Sequence, residues 1–289
     1  MSEYLELMKQ NMELRGFSAN THETYLRYLK YFEDFHNQLA ENLNDTHIRE
    51  YLHYLIATKN ASHSSVNIAY SALKFFFEFT LKRPLALQSI PRTKKERRLP
   101  VVLSADEIQQ ILASLSNLKH RAIVMTIYGG GLRLSEAAHL RIEDIDSSNM
   151  QIRVFRGKGN STRYTILSQK NLLMLRDYWK TYRPSSWLFP AATNSNIPIN
   201  PRCIEAFFLT ARRKAGIIKP ASIHSLRHSF ATHLLENGVN IRVIQQLLGH
   251  KDINTTCRYL HLVSPKFLQI SSPLDLWKDD NHREDTNHG

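Results

Sequence analysis

A proline-bracketed run of cations cuts this 289-residue chain in two. Arg83-Pro84 interrupts a helical pattern. Pro91 and Pro100 then enclose Arg92, Lys94, Lys95, Arg97 and Arg98, with Glu96 the one acid among them. Residues before prolines are pushed towards extended backbone, so one continuous helix cannot run through this stretch. At about 150 residues per domain the length allows two ordinary domains or one large one, and the break favours two. Crowded cations repel unless anions offset them. The stretch therefore reads as a linker lying along phosphates, with a plain solvated tether as the alternative. The whole chain leans the same way: 38 Lys and Arg against 26 Asp and Glu leave a formal charge of +12, which calls for a polyanionic partner.

On either side of the break the apolar residues fall at helical spacing. Before it, Ser18 is placed to cap a helix carrying Tyr25, Leu29 and Phe32. Ile48, Tyr51, Leu52, Leu55 and Ile56 form a second stripe, and Val66, Ala69, Leu73, Phe76 and Phe77 a third. After it, Ser104-Ala105-Asp106-Glu107 is a capping box leading into Ile108, Ile111, Leu112 and Leu115. An apolar helix over about 119–128 is expected to end at Gly129-Gly130-Gly131, with another starting near Leu134. Gln151–Phe155 and Arg163–Leu167 read as two strands joined by Arg156-Gly157-Lys158-Gly159-Asn160. The prediction is a mostly α protein with a small antiparallel sheet. Hydrophobic residues at 42% suffice for a core. No apolar run has the roughly 18 residues of a membrane span. The start, MSEYLELMKQ, has acids where a signal peptide has basic residues. Two cysteines, Cys203 and Cys257, cannot build a disulfide framework or a four-cysteine zinc site, so a reducing cytoplasm is expected.

Three separated polar clusters carry chemical potential. In Gly131-Leu132-Arg133-Leu134-Ser135-Glu136, glycines allow a tight turn and an arginine near a helix start suits a phosphate. A surface Arg133–Glu136 pair is the plainer reading. In His224-Ser225-Leu226-Arg227-His228, a helix would place His224, Arg227 and His228 on one face. His-x-x-x-His can also chelate zinc, although Arg227 beside the ion would repel it and the acid of the zincin motif is missing. The third cluster is Leu247-Leu248-Gly249-His250, followed by Tyr259.

Taken in order and spacing, the Gly131-Leu132-Arg133 box, the Lys158 turn, His224-Ser225-Leu226-Arg227-His228, Leu248-Gly249-His250 and Tyr259 resemble the tyrosine recombinase (phage integrase) family. The likeness is sharpest from Ala221 to His261 and leans towards Xer-like and mobile-element integrases. Integron integrases are similar too, but carry an additional helix for which 184–220 has little room. The resemblance implies a helical, SAM-like core-binding domain at 1–82, a linker at 83–103, a mixed α/β catalytic domain at 104–262 and a tail at 263–289. It makes Arg133 and Arg227 phosphate-clamping arginines, Lys158 the general acid, His224 the base or proton shuttle, His250 a phosphate hydrogen-bond donor and Tyr259 the nucleophile. Glu136 and His228 would be supporting residues, His228 with no chemical role of its own.

The implied reaction is DNA transesterification through a 3′-phosphotyrosyl intermediate, independent of ATP, cofactor and metal because arginines supply the positive charge. The implied partners are double-stranded recombination sites and further copies of the chain, a dimer on each site and a tetramer around a Holliday junction, with no membrane. An apolar tail of Leu262, Val263, Phe267, Leu268, Ile270, Leu274, Leu276 and Trp277 packs either on its own domain or on a neighbouring protomer. A type IB topoisomerase-like enzyme and a non-catalytic DNA-binding accessory protein are the alternative functions.

Overall fold

The computed structural model describes residues 3–83, 99–155 and 162–262, in two compact units, Met1–Arg98 and Leu99–Gly289. The basic linker, the turn holding Lys158 and the tail after Leu262 lie outside the described residues.

The first unit is helical throughout its described residues: α1 (Glu3–Leu14), α2 (Ala19–His36), α3 (Asp45–Ala57) and α4 (His63–Phe75). Short polar side chains start three of them. Ser18, Asn44 and Ser62 each accept a hydrogen bond from a backbone N–H of the first turn, satisfying donors that a helix start leaves unpaired. The stripes converge on a core of Met8, Met12, Leu29, Phe32, Ile48, Tyr51 and Leu73. Ile56 is off its stripe: it is 43% exposed, while Leu55 packs against the core. After α4 the helix widens into a π turn, Phe76–Thr80. A wider turn advances each residue through a smaller angle, so Phe75, Phe76 and Phe77 can all be buried in succession.

The second unit places α5 (Ala105–Ser114), α6 (Leu118–Gly130), α7 (Leu134–Ala138), α8 (Gln169–Tyr182), α9 (Pro201–Lys214), α10 (Ile223–Glu236), α11 (Ile241–Leu248) and the short α12 (Asn254–Cys257) around a three-stranded antiparallel sheet. Ser104 and Glu107 close the capping box in both directions. The strands are β1 (Ile145–Asp146), β2 (Gln151–Phe155) and β3 (Thr162–Ile166), in the order β1-β2-β3. β3 begins one residue before the expected strand, and the two-residue β1 is too short to leave a periodic signature. Ile152 and Val154 face inward from β2, Arg163 and Thr165 from β3.

The expected end of α6 shifts as well. Gly129 and Gly130 continue the helix, and Gly131 closes it with φ of 60°. A Cβ on Gly130 would lie 3.2 Å from Ile152 and 3.3 Å from Thr165, so its lack of a side chain lets helix and sheet approach. Among the described residues no helix is long and apolar enough to cross a membrane.

Candidate active site

Glycine starts the site. Gly131 adopts a left-handed conformation, and a Cβ there would lie 2.4 Å from the Phe230 ring. This turn ends α6 and delivers Arg133 as the N-cap of α7. Glu136, one turn into α7, reaches back: its carboxylate accepts from the Arg133 backbone N–H at 2.8 Å and from the Arg133 guanidinium at 2.7 Å. The plainer Arg133–Glu136 pairing therefore exists, but it is one edge of a larger network.

That network centres on the Glu136 carboxylate. Arg163, from the inward face of β3, donates both Nη groups to it at 2.9 Å, in the fork geometry that suits a carboxylate. Arg163 Nε donates to the Leu247 carbonyl at 2.8 Å. Arg227, on α10, lies 3.8 Å from the same carboxylate. Arg227 is buried and donates to the carbonyls of Gly131 at 2.6 Å and Leu248 at 2.7 Å. Burial alone would raise the Glu136 pKa, but the bonds from Arg163 and Arg133 outweigh it and bring it to about 2. Burial, then the charge of Arg133, lower the Arg227 pKa from its usual value.

His250 follows the left-handed Gly249 that closes α11. Its Nε2 lies 3.1 Å from Arg227 Nη2 and its Nδ1 2.8 Å from the Thr256 hydroxyl. Arg227 can only donate, so Nε2 accepts and Nδ1 carries the proton donated to Thr256. Burial and the surrounding arginines, Arg227 first, push His250 down to about 3 and keep the ring neutral. Beside this wall opens a cleft of about 920 Å³ lined by Arg133, His139, Arg141, Trp187, His250 and Lys251.

A second, smaller network holds the phenol. Tyr259 is fully buried in a cluster with Phe230, Ala231, Leu235, Ile244 and Leu248. Its hydroxyl lies 2.9 Å from His228 Nδ1 and 3.3 Å from Arg258 Nη2. Burial, then Arg258, His224 and Arg227, push His228 down to about 4, so its ring is neutral. The bond to Tyr259 occupies one of the two histidines on which the zinc reading rested.

Of the residues singled out in the sequence, Arg133, Glu136, Arg227 and His250 thus share one network, and His228 and Tyr259 share another. Both meet on α10, where Arg227 and His228 are consecutive. His224 stands exposed in the first turn of that helix. Lys158 and the cations Arg92, Lys94, Lys95, Arg97 and Arg98 fall outside the described residues. Two participants escaped the sequence reading. Arg163 opens an expected strand, and Arg258 precedes Tyr259 in the chain with no role expected of it. The signal for Arg163 was its alternation with Thr165, which points it inward.

Comparison with known proteins gives the same outline. Residues 101–264 match the phage integrase family, and residues 4–87 match the phage integrase N-terminal SAM-like domain. A Sinorhizobium fredii protein named as an integrase/recombinase is 42% identical over 277 residues, 96% of this chain and 90% of that one. The tyrosine recombinase XerA of Pyrococcus horikoshii is 34% identical over 89% of this chain and 88% of its own. In fold, a lambda integrase dimer bound to a COC′ core site superposes with a TM-score of 0.74 at 18% identity, covering 90% of this chain and 94% of that one.

Proposed function

The chain belongs to the phage integrase family and is a site-specific tyrosine recombinase, and on that premise we propose how its residues act on a DNA phosphodiester. The Tyr259 oxygen attacks phosphorus, a 3′-phosphotyrosyl bond forms, and the bond to the 5′ oxygen breaks. A second 5′-hydroxyl reverses the step on a new partner strand. One ester replaces another, so no external energy source enters.

The observation that carries this reading is the pair Arg133 and Arg227, anchored through one carboxylate and through backbone carbonyls before any substrate arrives. Charge grows on the non-bridging oxygens in the transition state, and preorganised guanidinium groups meet it without moving a proton. Arg133 is the more exposed of the two and lines the cleft. His250 starts as a neutral acceptor from Arg227. A phosphate anion offsets the cations that depress its pKa, which raises its affinity for a proton and lets the ring donate to an oxygen. Lys158, in the segment between β2 and β3, supplies the proton for the leaving 5′ oxygen, and His224 acts as base or shuttle.

Residues 1–82 and 104–262 act as two DNA-binding bodies, with Arg92, Lys94, Lys95, Arg97 and Arg98 along the backbone between them. The assembly is a dimer on each site and a tetramer in synapsis, working in the cytoplasm. Residues 263–289 bridge neighbouring protomers.

A nicked substrate that loses its 5′ fragment after cleavage tests the chemistry. The wild-type chain should accumulate a protein–DNA adduct that survives denaturation. Tyr259→Phe should give no adduct while protecting the same stretch of DNA. An adduct formed by Tyr259→Phe would refute the assignment.

A further inference from the structure

We propose that His228 is a catalytic residue, the imidazole that takes the proton of the Tyr259 hydroxyl as its oxygen attacks phosphorus. This rests on the reading of Tyr259 as nucleophile given above. The family pattern nominates His224 for the base; the geometry points one turn further along α10.

Four observations converge. His228 Nδ1 lies 2.9 Å from the Tyr259 oxygen, the distance of a hydrogen bond through which a proton can pass. A third group favours one polarity for that bond. Arg258 Nη2 lies 3.3 Å from the same oxygen and can only donate, so the phenol accepts there, and Nδ1 is the acceptor within reach of its own O–H. Nδ1 must then be free of a proton: burial, with Arg258 the next cause, keeps the ring neutral, and a neutral ring that carries its proton on Nε2 leaves Nδ1 open. Finally, Tyr259 is fully buried, so its proton leaves through a protein group rather than directly into water.

Position on the helix adds a functional reason. Arg227 and His228 are consecutive on α10, so the clamp for the phosphate and the acceptor for the phenol keep a fixed spacing whatever else moves. His224, exposed in the first turn of the same helix, is left as the group that exchanges the proton with solvent.

The balance closes in both directions. In cleavage the O–P bond to Tyr259 forms, the P–O5′ bond breaks, the phenolic proton moves to Nδ1, and the 5′ oxygen takes a proton from Lys158. In religation the protonated His228 returns its proton to the departing phenolate while the attacking 5′-hydroxyl gives its own to Lys158. A bound phosphodiester makes His228 a better base, because its negative charge offsets the cations that otherwise repel a proton.

The two proton transfers can be separated chemically. A 5′-bridging phosphorothiolate has sulfur as leaving atom, and a thiolate departs without a proton. We expect Lys158→Ala to be slow on the oxygen ester and to recover on the sulfur ester. His228→Asn keeps an oxygen acceptor near the Nδ1 position but no base. It should form adduct about 10²- to 10⁴-fold more slowly on both esters, while footprinting the site like wild type. Should His228→Asn fold poorly, His228→Ala assayed with added imidazole replaces it, and recovery by imidazole is the supporting result. Adduct formation at or above the wild-type rate by His228→Asn would overturn the proposal; a faster rate would make His228 a latch that restrains Tyr259. Rescue of His228→Asn by the sulfur leaving group would also overturn it, by moving His228 to the leaving-group side. If the wild-type chain forms no adduct on either ester, the nucleophile assignment itself fails, and the two failures stay distinguishable.

Discussion

The arginine half of the site and the phenol half are held in different ways. Arg133, Arg163 and Arg227 meet one carboxylate, and backbone carbonyls of Gly131, Leu247 and Leu248 take up further donors. Tyr259 is tied through one oxygen to His228 and Arg258, and it follows a four-residue helix, α12. The difference follows from charge. Buried guanidinium groups are costly unless every one is paired, so a clamp for an anion has to be built before the anion arrives. A neutral phenol needs no counter-charge, so two side chains on its one oxygen suffice.

Removing the shared carboxylate should damage the molecule most. Glu136→Gln leaves the buried Arg163 and Arg227 without their counter-charge, and breaking a buried pair in this way typically costs about 3–5 kcal/mol. Chemical denaturation checks it. The same group sets an acid limit. Its folded pKa of about 2 lies below the usual carboxylate value of 4.5, so its stabilisation is complete above pH 4.5 and is lost as pH falls from there through 2. His228 acts earlier: its folded pKa of about 4 lies below 6.5, so the unfolded chain binds more protons and stability starts to fall below pH 6.5. Thermal unfolding across pH should show both windows, and His228→Asn should shrink the upper one, which His250 with its folded pKa of about 3 shares, while leaving the lower one in place.

Next comes the clamp itself. Arg227→Lys keeps a charge but loses the fork that spans the Gly131 carbonyl, the Leu248 carbonyl and His250. Adduct formation should slow about 10²- to 10³-fold, the cost of losing one transition-state donor in comparable sites. DNA binding at low salt should change far less. An equal loss in both would mean that Arg227 only holds the fold together.

Gly131→Ala sharpens the comparison from the backbone side. A Cβ would meet the Phe230 ring at 2.4 Å in a left-handed conformation, so Phe230 and α6 must shift apart. Strain of this kind costs about 1–3 kcal/mol. Because Phe230 packs in the Tyr259 cluster while Gly131 carries the carbonyl that binds Arg227, this variant is expected to disturb both halves at once.

How far the sequence could be read follows from the same contrast. Ser18, Ser104 with Glu107, and the stripes of the first unit were legible because capping and periodicity are local: each partner lies within a turn of the other. The motif residues were legible through their order along the chain and their family likeness, which sets identity but not contact. Arg163 was missed because a cation in a short strand ordinarily faces water, and the carboxylate that buries it lies 27 residues away. His228 and Tyr259 are separated by 31 residues, and the helical pattern groups His228 with His224 rather than with the phenol. Ile56 and the π turn at Phe76–Thr80 show that periodicity marks a face without fixing where it stops.

The smallest expected effect tests whether His250 belongs wholly to the arginine half. Its Nδ1 donates to Thr256, which sits in α12 just before the phenol, so this bond links the two halves. Thr256→Val keeps the shape, removes the hydroxyl and leaves a buried N–H without its acceptor. The direct loss is about 1–3 kcal/mol of stability, the cost of leaving one buried donor unpaired. If the halves act independently, the adduct rate should fall less than tenfold and His228→Asn should slow the Val variant by the same factor as wild type. A double-mutant cycle on adduct formation measures the difference, and a coupling above about 1 kcal/mol would mean that His250 and the phenol are positioned together through α12.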